Sequence, residues 1–509
     1  MPRMSPDPAS APGDRVAVSA SLVVFGATGD LAHRKLYPAL ASLANAGQLP
    51  GRLTVVGNAR RAISNEEFAE DVRNAVEKAG DGDSPGRRDA LDQLGVRFRF
   101  VPGSVDDADT FQQLRAELED IDAGRDGGGN VLYYLSTVPS VFGTIASGLG
   151  KAGLAHEPPG TFRRIVVEKP FGRDVETARH LDYQLHQHFR EHQIYRIDHY
   201  LAKETVQNIL ALRFTNTVFE PLWNRRYVDR VEITVAEQLG VEHRGAFYEQ
   251  SGVLRDIVQN HLLQVLALTA MEPPASFAAD AIRDEKVKLL RSIRPLEPSE
   301  LPDRVVRGQY TADTIDGVDV CSYREEEGVA PHSKVETYLA LRLDVDNWRW
   351  AGVPFCVRAG KRLQRRATEV ALRYKSVPFL PLPAGAVDSL EPNVMTLHIQ
   401  PDEGITLSFA AKVPGQTLQV RTVPLDFSYR ETFAERAPEA YERVLVDAFL
   451  GDATLFIRGD EVHTAWEIVQ PVIDAFERDA VPLAFYPAGS WGPTESNNLL
   501  GGDETWRKS

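Results

Sequence analysis

The spacing of apolar and polar positions divides the chain into two textures. In the first, short apolar runs alternate with stretches of helical periodicity. Val16–Phe25 reads as a buried strand, followed by Gly26-Ala27-Thr28-Gly29-Asp30-Leu31 and a helical segment from Arg34 to Ala46. Leu53–Gly57, Arg97–Pro102, Val131–Thr137 and Arg164–Glu168 repeat the strand pattern, with helices over Phe111–Leu118 and Val175–Phe189. Strands and helices alternating at this spacing predict a parallel sheet wound on both faces.

After Leu210 the texture changes. Val231–Glu237 has apolar odd positions through Val235 and polar even ones, which predicts a half-buried strand. Similar runs at Thr337–Val345, Val370–Tyr374, Thr396–Ile399, Gly404–Phe409 and Gln419–Val423 predict a large, mostly antiparallel sheet with flanking helices. The strongest helix spans Gly252–Met271, with an apolar stripe through Val253, Leu254, Ile257, Val258, Leu262, Val265 and Leu266, stopped by Pro273-Pro274. At about 100° per residue, its Asp256 and His261 fall about 140° apart, flanking that stripe. The expected fold class is α/β plus α+β. Residues 1–17 form a disordered tail, 18–197 a Rossmann-like doubly wound domain, and 198–509 a larger domain built on the antiparallel sheet. The Gly/Asp/Arg-rich segments Asp81–Arg88 and Ala123–Asn130 are expected to be loops.

Composition narrows the chemistry. A chain of 509 residues exceeds one ordinary core, in keeping with two domains. A net charge of −15 argues against general nucleic-acid or acidic-membrane binding, and it makes any local cluster of cations informative. Cys321 and Cys356 have no metal-ligand spacing, and no metal site is expected. No run approaches the ~20 apolar residues of a membrane span and the start is not a signal peptide, so the cytoplasm is the default compartment.

Four places then draw attention. The strand–glycine turn–helix context at Gly26–Leu31 suits a dinucleotide pyrophosphate, although G-x-x-G also serves as a plain tight turn. The second strand ends in Arg60-Arg61 rather than a carboxylate, which suits a 2′-phosphate and favours NADP, with NAD as the weaker alternative. Arg196-Ile197-Asp198-His199-Tyr200-Leu201-Ala202-Lys203-Glu204 packs four chemistries into one short stretch. Adjacent side chains on extended backbone point apart, which frees Asp198 to orient a histidine other than His199. A helix beginning near Leu201 would let His199 and Lys203 converge on one anion. Arg358, Lys361, Arg362, Arg365 and Arg366 fall within nine residues. Each place also has a bland account in turns and solvated surface charge.

These segments resemble motifs of the glucose-6-phosphate dehydrogenase family: GATGDL, EKPFG (Glu168–Gly172), RIDHYLAKE, RDIVQNHLLQ (Arg255–Gln264) and RWAGVPFCVRAGK (Arg349–Lys361). The matches run in order over about residues 20 to 500. The resemblance implies oxidation of β-D-glucose 6-phosphate at C1 to 6-phosphoglucono-1,5-lactone with NADP, the first oxidative step of the pentose phosphate pathway. It implies His261 as general base and Asp198 as its orienting carboxylate. Gly26, Ala27, Thr28, Gly29, Asp30, Leu31, Arg60 and Lys169 are the implied cofactor contacts. Lys169, His199, Tyr200, Lys203, Glu237, Asp256, Lys361 and Arg366 are the implied substrate contacts, with His199 and Lys203 at the 6-phosphate and Lys361 and Arg366 on the sugar side. A homodimer or homotetramer is expected. A non-catalytic NADP sensor and a relative acting on another sugar are the competing readings.

Overall fold

The computed structural model describes residues 19–79, 90–124, 129–315, 317–383, 386, 390–433, 439–502 and 504–507. The tail at 1–17, the loop Asp81–Arg88 and part of Ala123–Asn130 lie outside those residues. Two sheets carry the architecture. The first contains six parallel strands: β1 (Ala20–Phe25), β2 (Leu53–Ala59), β3 (Arg97–Pro102), β4 (Val131–Leu135), β5 (Arg163–Val167) and β6 (Ile194–Ile197). They run in the order β3-β2-β1-β4-β5-β6, with Phe456–Ile457 from the far end of the chain paired antiparallel to β6. β1 and β4 are buried throughout, as strands covered by helices on both faces must be. The order reverses between β1 and β4, and the crevice beyond their carboxyl ends is where such folds bind ligands.

The second sheet has nine strands. In spatial order they are Val420–Ser428, Gly404–Lys412, Val394–Gln400, Ala367–Tyr374, β7 (Val228–Ala236), Pro354–Gly360, Tyr338–Asp344, Val305–Thr311 and Leu483–Pro487. All neighbours are antiparallel except β7 with Pro354–Gly360 and Val305–Thr311 with Leu483–Pro487, so the sheet is mostly antiparallel as expected. No described helix is long and apolar enough to cross a membrane.

Three local expectations are corrected. β7 is not half-buried: Glu232 and Thr234 are as enclosed as their apolar neighbours. β7 lies in the middle of the sheet, where Arg230 pairs with Glu232 at 2.7 Å and the Arg358 guanidinium donates to Thr234 Oγ1 at 3.0 Å. Polar alternation here marks internal pairing, not a wet face. The helix after the RIDHYL stretch begins at Glu204, leaving Leu201–Lys203 in turns, so His199 and Lys203 do not share a helical face.

The third correction matters most. Gly252–Met271 is not one α-helix. The helix Gly245–Val253 breaks at Gly252, a π-turn runs over Leu254–Leu262, and an α-helix resumes at Leu263–Ala270. Gly252 has φ +58°, and a Cβ there would lie 2.3 Å from Glu336 Oε1, so only glycine fits the break. The same buried Glu336 oxygen accepts the Leu254 amide at 3.1 Å, capping the new turn. In a π-turn hydrogen bonds close at i→i+5, so residues five apart stack on one face. Asp256 and His261, expected on opposite flanks, are brought together.

Candidate active site

His261 is 3% exposed and sits between two partners of opposite kind. Its Nδ1 is bonded to Asp198 Oδ1, and its Nε2 lies 2.8 Å from the Lys169 ammonium. A carboxylate only accepts and an ammonium only donates. Nδ1 therefore carries the proton and Nε2 presents a lone pair. Burial lowers the imidazole pKa below its ordinary value and Lys169 lowers it further, while Asp198 opposes both. The ring is thus neutral at pH 7, with its basic nitrogen directed away from Asp198.

Asp198, at the end of β6, is 1% exposed and accepts the Tyr200 amide at 2.9 Å. Burial would raise its pKa, but the hydrogen bonds from His261 and the Tyr200 amide hold the carboxyl well below the usual range. Its Oδ2 is buried and has no hydrogen-bond partner among the described residues, so its charge is left to act on the imidazole. Tyr200 stacks on His261 at 4.2 Å and 19°, and His199 meets the ring edge-on at 4.4 Å. Ligand atoms of Asp198, His199 and His261 lie within 4.8 Å of one another, but Asp198 and His261 already bond each other and an ammonium abuts the free nitrogen. That arrangement suits proton transfer better than a cation.

Lys169 follows β5 and also donates to the Asp256 carbonyl at 3.0 Å and to Asp256 Oδ1 at 3.4 Å. Burial pushes the Asp256 carboxyl up, yet Lys169, Lys361 and His261 together keep it below its ordinary value. Lys361, 2% exposed, is bonded to Glu237 and lies 3.9 Å from Asp256 Oδ2. Lys169, Asp256, Lys361 and Glu237 thus form a charged wall beside the imidazole.

The opposite wall is cationic. Lys203 Nζ lies 4.1 Å over the Tyr200 ring and bonds Gln400 Oε1, which also accepts from Arg366 at 3.0 Å. Burial and the neighbouring Arg366 push the Lys203 pKa down to about 8, with Glu403 opposing. Burial, with the Lys169 and Lys203 ammoniums nearby, pushes His199 well below its ordinary value, so His199 offers an N–H, not a charge. Of the five cations around Arg358–Arg366, Lys361 and Arg366 reach these walls. Arg358 is buried between Trp491 and Trp506, Arg362 faces Glu326, and Arg365 is exposed.

At the switch point, Gly26 has φ +79°, and a Cβ would stand 2.2 Å from the Ser136 carbonyl oxygen and 2.9 Å from Thr137 Cγ2. The turn can pack this tightly against the Ser136 backbone only because residue 26 is glycine. The Gly26 and Ala27 amides are already bonded to the Asn58 carbonyl at 2.9 and 3.1 Å. Their role is therefore shape, and the Gly29 amide is likewise bonded to the Gly26 carbonyl at 2.9 Å, so donors must come from Thr28, Asp30 and Leu31, which lead into the π-turn Ala32–Leu36 and the helix Tyr37–Asn45. Ser136 Oγ and Thr137 Oγ1 are buried without partners beside the turn. Arg60 and Arg61 are exposed just past β2, and neither has an ion-pair partner among the described residues. A glycine-only turn at the switch point, two buried hydroxyls with no partner among the described residues and two exposed guanidiniums fit a phosphorylated dinucleotide.

The same geometry has relatives. The family model "Glucose-6-phosphate dehydrogenase, NAD binding domain" matches residues 23–208, and "Glucose-6-phosphate dehydrogenase, C-terminal domain" matches 210–507. The chain belongs to the glucose-6-phosphate dehydrogenase family. It is 48% identical over 486 residues to glucose-6-phosphate 1-dehydrogenase 2 of Mycobacterium tuberculosis, covering 96% of this chain and 94% of that one. It is 42% identical to glucose-6-phosphate 1-dehydrogenase of Bacillus subtilis, covering 94% and 96%. A solved glucose-6-phosphate dehydrogenase in complex with its substrate glucose-6-phosphate superposes with a TM-score of 0.87 at 33% identity, over 97% of this chain and all of that one.

Within this family frame, sequence reasoning missed Gln400. Its side chain accepts from Lys203 and Arg366 and donates to Thr368 Oγ1 at 3.0 Å and to the Tyr200 hydroxyl at 3.3 Å. It ends the strand Val394–Gln400, one residue past the predicted run Thr396–Ile399, and belongs to no charged motif, so only the fold brings it to the cationic wall. The one available signal was a polar residue next to Pro401, at a strand end. His243, by contrast, is exposed and pairs with Glu327 at 3.4 Å, away from these walls.

Proposed function

We propose that this chain oxidises β-D-glucose 6-phosphate at C1 to 6-phosphoglucono-1,5-lactone, with NADP as the oxidant. The observation that carries this reading is the forced tautomer of His261: Asp198 holds the Nδ1 proton and Lys169 keeps Nε2 as a lone pair. Nε2 takes the proton of the C1 hydroxyl, Asp198 stabilises the imidazolium that forms, and the C1 hydrogen leaves as hydride. The bound dinucleotide supplies the hydride acceptor. Lys169 stands between the base and the cofactor crevice, so it contacts both reactants and gives up its bond to Nε2 when the C1 hydroxyl arrives.

Substrate orientation follows from the two walls. Lys203 and Arg366, helped by the N–H of His199, hold the 6-phosphate, and Tyr200 backs both the phosphate and the imidazole. Glu237, Asp256 and Lys361 meet the sugar hydroxyls. Thr28, Gly29, Asp30 and Leu31 line the pyrophosphate turn, with Gly26 and Ala27 giving it room, and Arg60 takes the 2′-phosphate. Both reactants carry phosphates that do not cross a membrane unaided, which supports a cytoplasmic location. Phe409, Leu425 and Phe433 are 37%, 61% and 56% exposed on or beside the outermost strands of the second sheet, which supports self-association into a dimer or tetramer.

The test is absorbance at 340 nm with glucose 6-phosphate and either NADP or NAD, for wild type and His261→Ala. Turnover that requires the phosphorylated sugar and collapses in the variant, with cofactor still bound, is expected. Tight NADP binding with no turnover would favour the sensor reading.

A further inference from the structure

Tyr248 lies on the helix Gly245–Val253, just before the glycine break that launches the catalytic π-turn. It is 2% exposed, and the Lys361 ammonium stands 5.1 Å from the centre of its ring. A cation at that distance is attracted to the ring face, so the ring is part of what fixes Lys361 beside Glu237 and Asp256. Its hydroxyl is buried and has no hydrogen-bond partner among the described residues.

The three tyrosines that follow it in an edge-to-face series have partners: Tyr323 donates to Glu249 at 2.5 Å, Tyr310 to Glu326 at 2.8 Å and Tyr486 to the Lys361 carbonyl at 2.7 Å. Tyr338, beyond Tyr486, also has a buried hydroxyl without a partner among the described residues, but it does not adjoin Lys361. A buried polar group left unpaired costs roughly 1–3 kcal/mol, and such groups gather where a ligand completes the bonding. The groups facing Tyr248 are Asp256 on the π-turn, Glu336 behind it, Glu237 after β7, Tyr486, and Lys361 over the ring. Burial first, and then the carboxylates, push the phenol pKa well above its ordinary value, so the hydroxyl remains a donor.

We infer that Tyr248 belongs to the sugar-side wall: its ring positions Lys361, and its hydroxyl donates a hydrogen bond to a hydroxyl of the bound sugar phosphate. This deepens the dehydrogenase reading and rests on it. One neutral hydrogen bond nets ~0.5–1.5 kcal/mol, so its loss corresponds to roughly a 2- to 12-fold change in affinity.

The experiment compares wild type, Tyr248→Phe, Tyr248→Leu and His261→Ala by steady-state kinetics and thermal melting. Tyr248→Phe should raise KM for glucose 6-phosphate roughly 2- to 12-fold, with kcat within about twofold and KM for NADP unchanged. Its Tm should not fall, because no protein group loses a partner. Tyr248→Leu, which also loses the ring under Lys361, should raise KM further. A wild-type KM in Tyr248→Phe overturns the contact. A lowered Tm with KM unchanged overturns it too, by assigning the hydroxyl a structural bond. Wild-type turnover and its loss in His261→Ala check the reaction itself in the same assay. Should wild type not turn over, calorimetric binding of glucose 6-phosphate to wild type and Tyr248→Phe tests the contact separately.

Discussion

The two ends of the proposed substrate pocket solve opposite problems. At the imidazole end nearly every polar group is already matched: His261 lies between Asp198 and Lys169, Asp256 between Lys169 and Lys361, and Lys361 is bonded to Glu237. At the other end, Lys203 and Arg366 meet on the neutral oxygen of Gln400. Two cations sharing one uncharged acceptor leave positive charge uncompensated, and in a chain of net charge −15 that is worth noticing. One end is pre-set to move a proton. The other is left hungry for an anion. A pocket that grips a fixed phosphate can hold C1 still against the base, which is how remote binding lowers a barrier.

The comparison breaks most sharply at His261. His261→Ala should lower kcat by at least ~10²- to 10⁴-fold while KM for glucose 6-phosphate changes little, because the phosphate grip is intact. Equal loss in KM would mean the two ends are not separable. Lys203→Gln should do the reverse. Removing a charged hydrogen bond worth ~1.5–3 kcal/mol raises KM for glucose 6-phosphate roughly 10- to 150-fold, with kcat much less affected. Unphosphorylated glucose serves as the control, since its poor turnover should be indifferent to the change. Arg60→Ala should raise KM for NADP roughly tenfold and leave KM for NAD as it was, measured with sugar saturating. Equal effects on both cofactors would move the 2′-phosphate contact elsewhere.

How much of this was legible in the chain depends on whether neighbours in space are neighbours in sequence. The glycine turn after β1 was readable because strand, turn and helix are contiguous, and β1 to β5 fell within a few residues of their predicted positions, while β6 was not predicted as a strand. The Asp198–His261 pair could be named through family resemblance, but not its geometry. Helical periodicity put Asp256 and His261 on opposite flanks, because nothing in the apolar stripe announces a π-turn. The signal was Gly252, whose positive φ is invisible until Glu336 is seen to occupy the space a Cβ would need. Alternation misled at Glu232 and Thr234 for a related reason: their partners Arg230 and Arg358 turn polar side chains into core. Gln400 was unreadable because its role comes wholly from a sheet register that brings it to Lys203.

The smallest effect is also the most discriminating, because each end of the pocket should own one limb of a pH profile. The base must be unprotonated, and burial lowers the His261 pKa, so kcat/KM with glucose 6-phosphate should fall only below the ordinary histidine value of ~6.5. Lys203 titrates near about 8 and must be charged to draw the phosphate, so kcat/KM should also fall above that pH. Profiles of kcat/KM report the free enzyme, which is the state described here. Lys203→Arg replaces the ammonium by a group charged throughout, so the alkaline limb should retreat by more than about one pH unit while the acid limb stays in place. If both limbs move, one network spans the pocket and its two ends titrate together. If only the alkaline limb moves, proton transfer and phosphate binding are separately tuned by different walls of the same cavity.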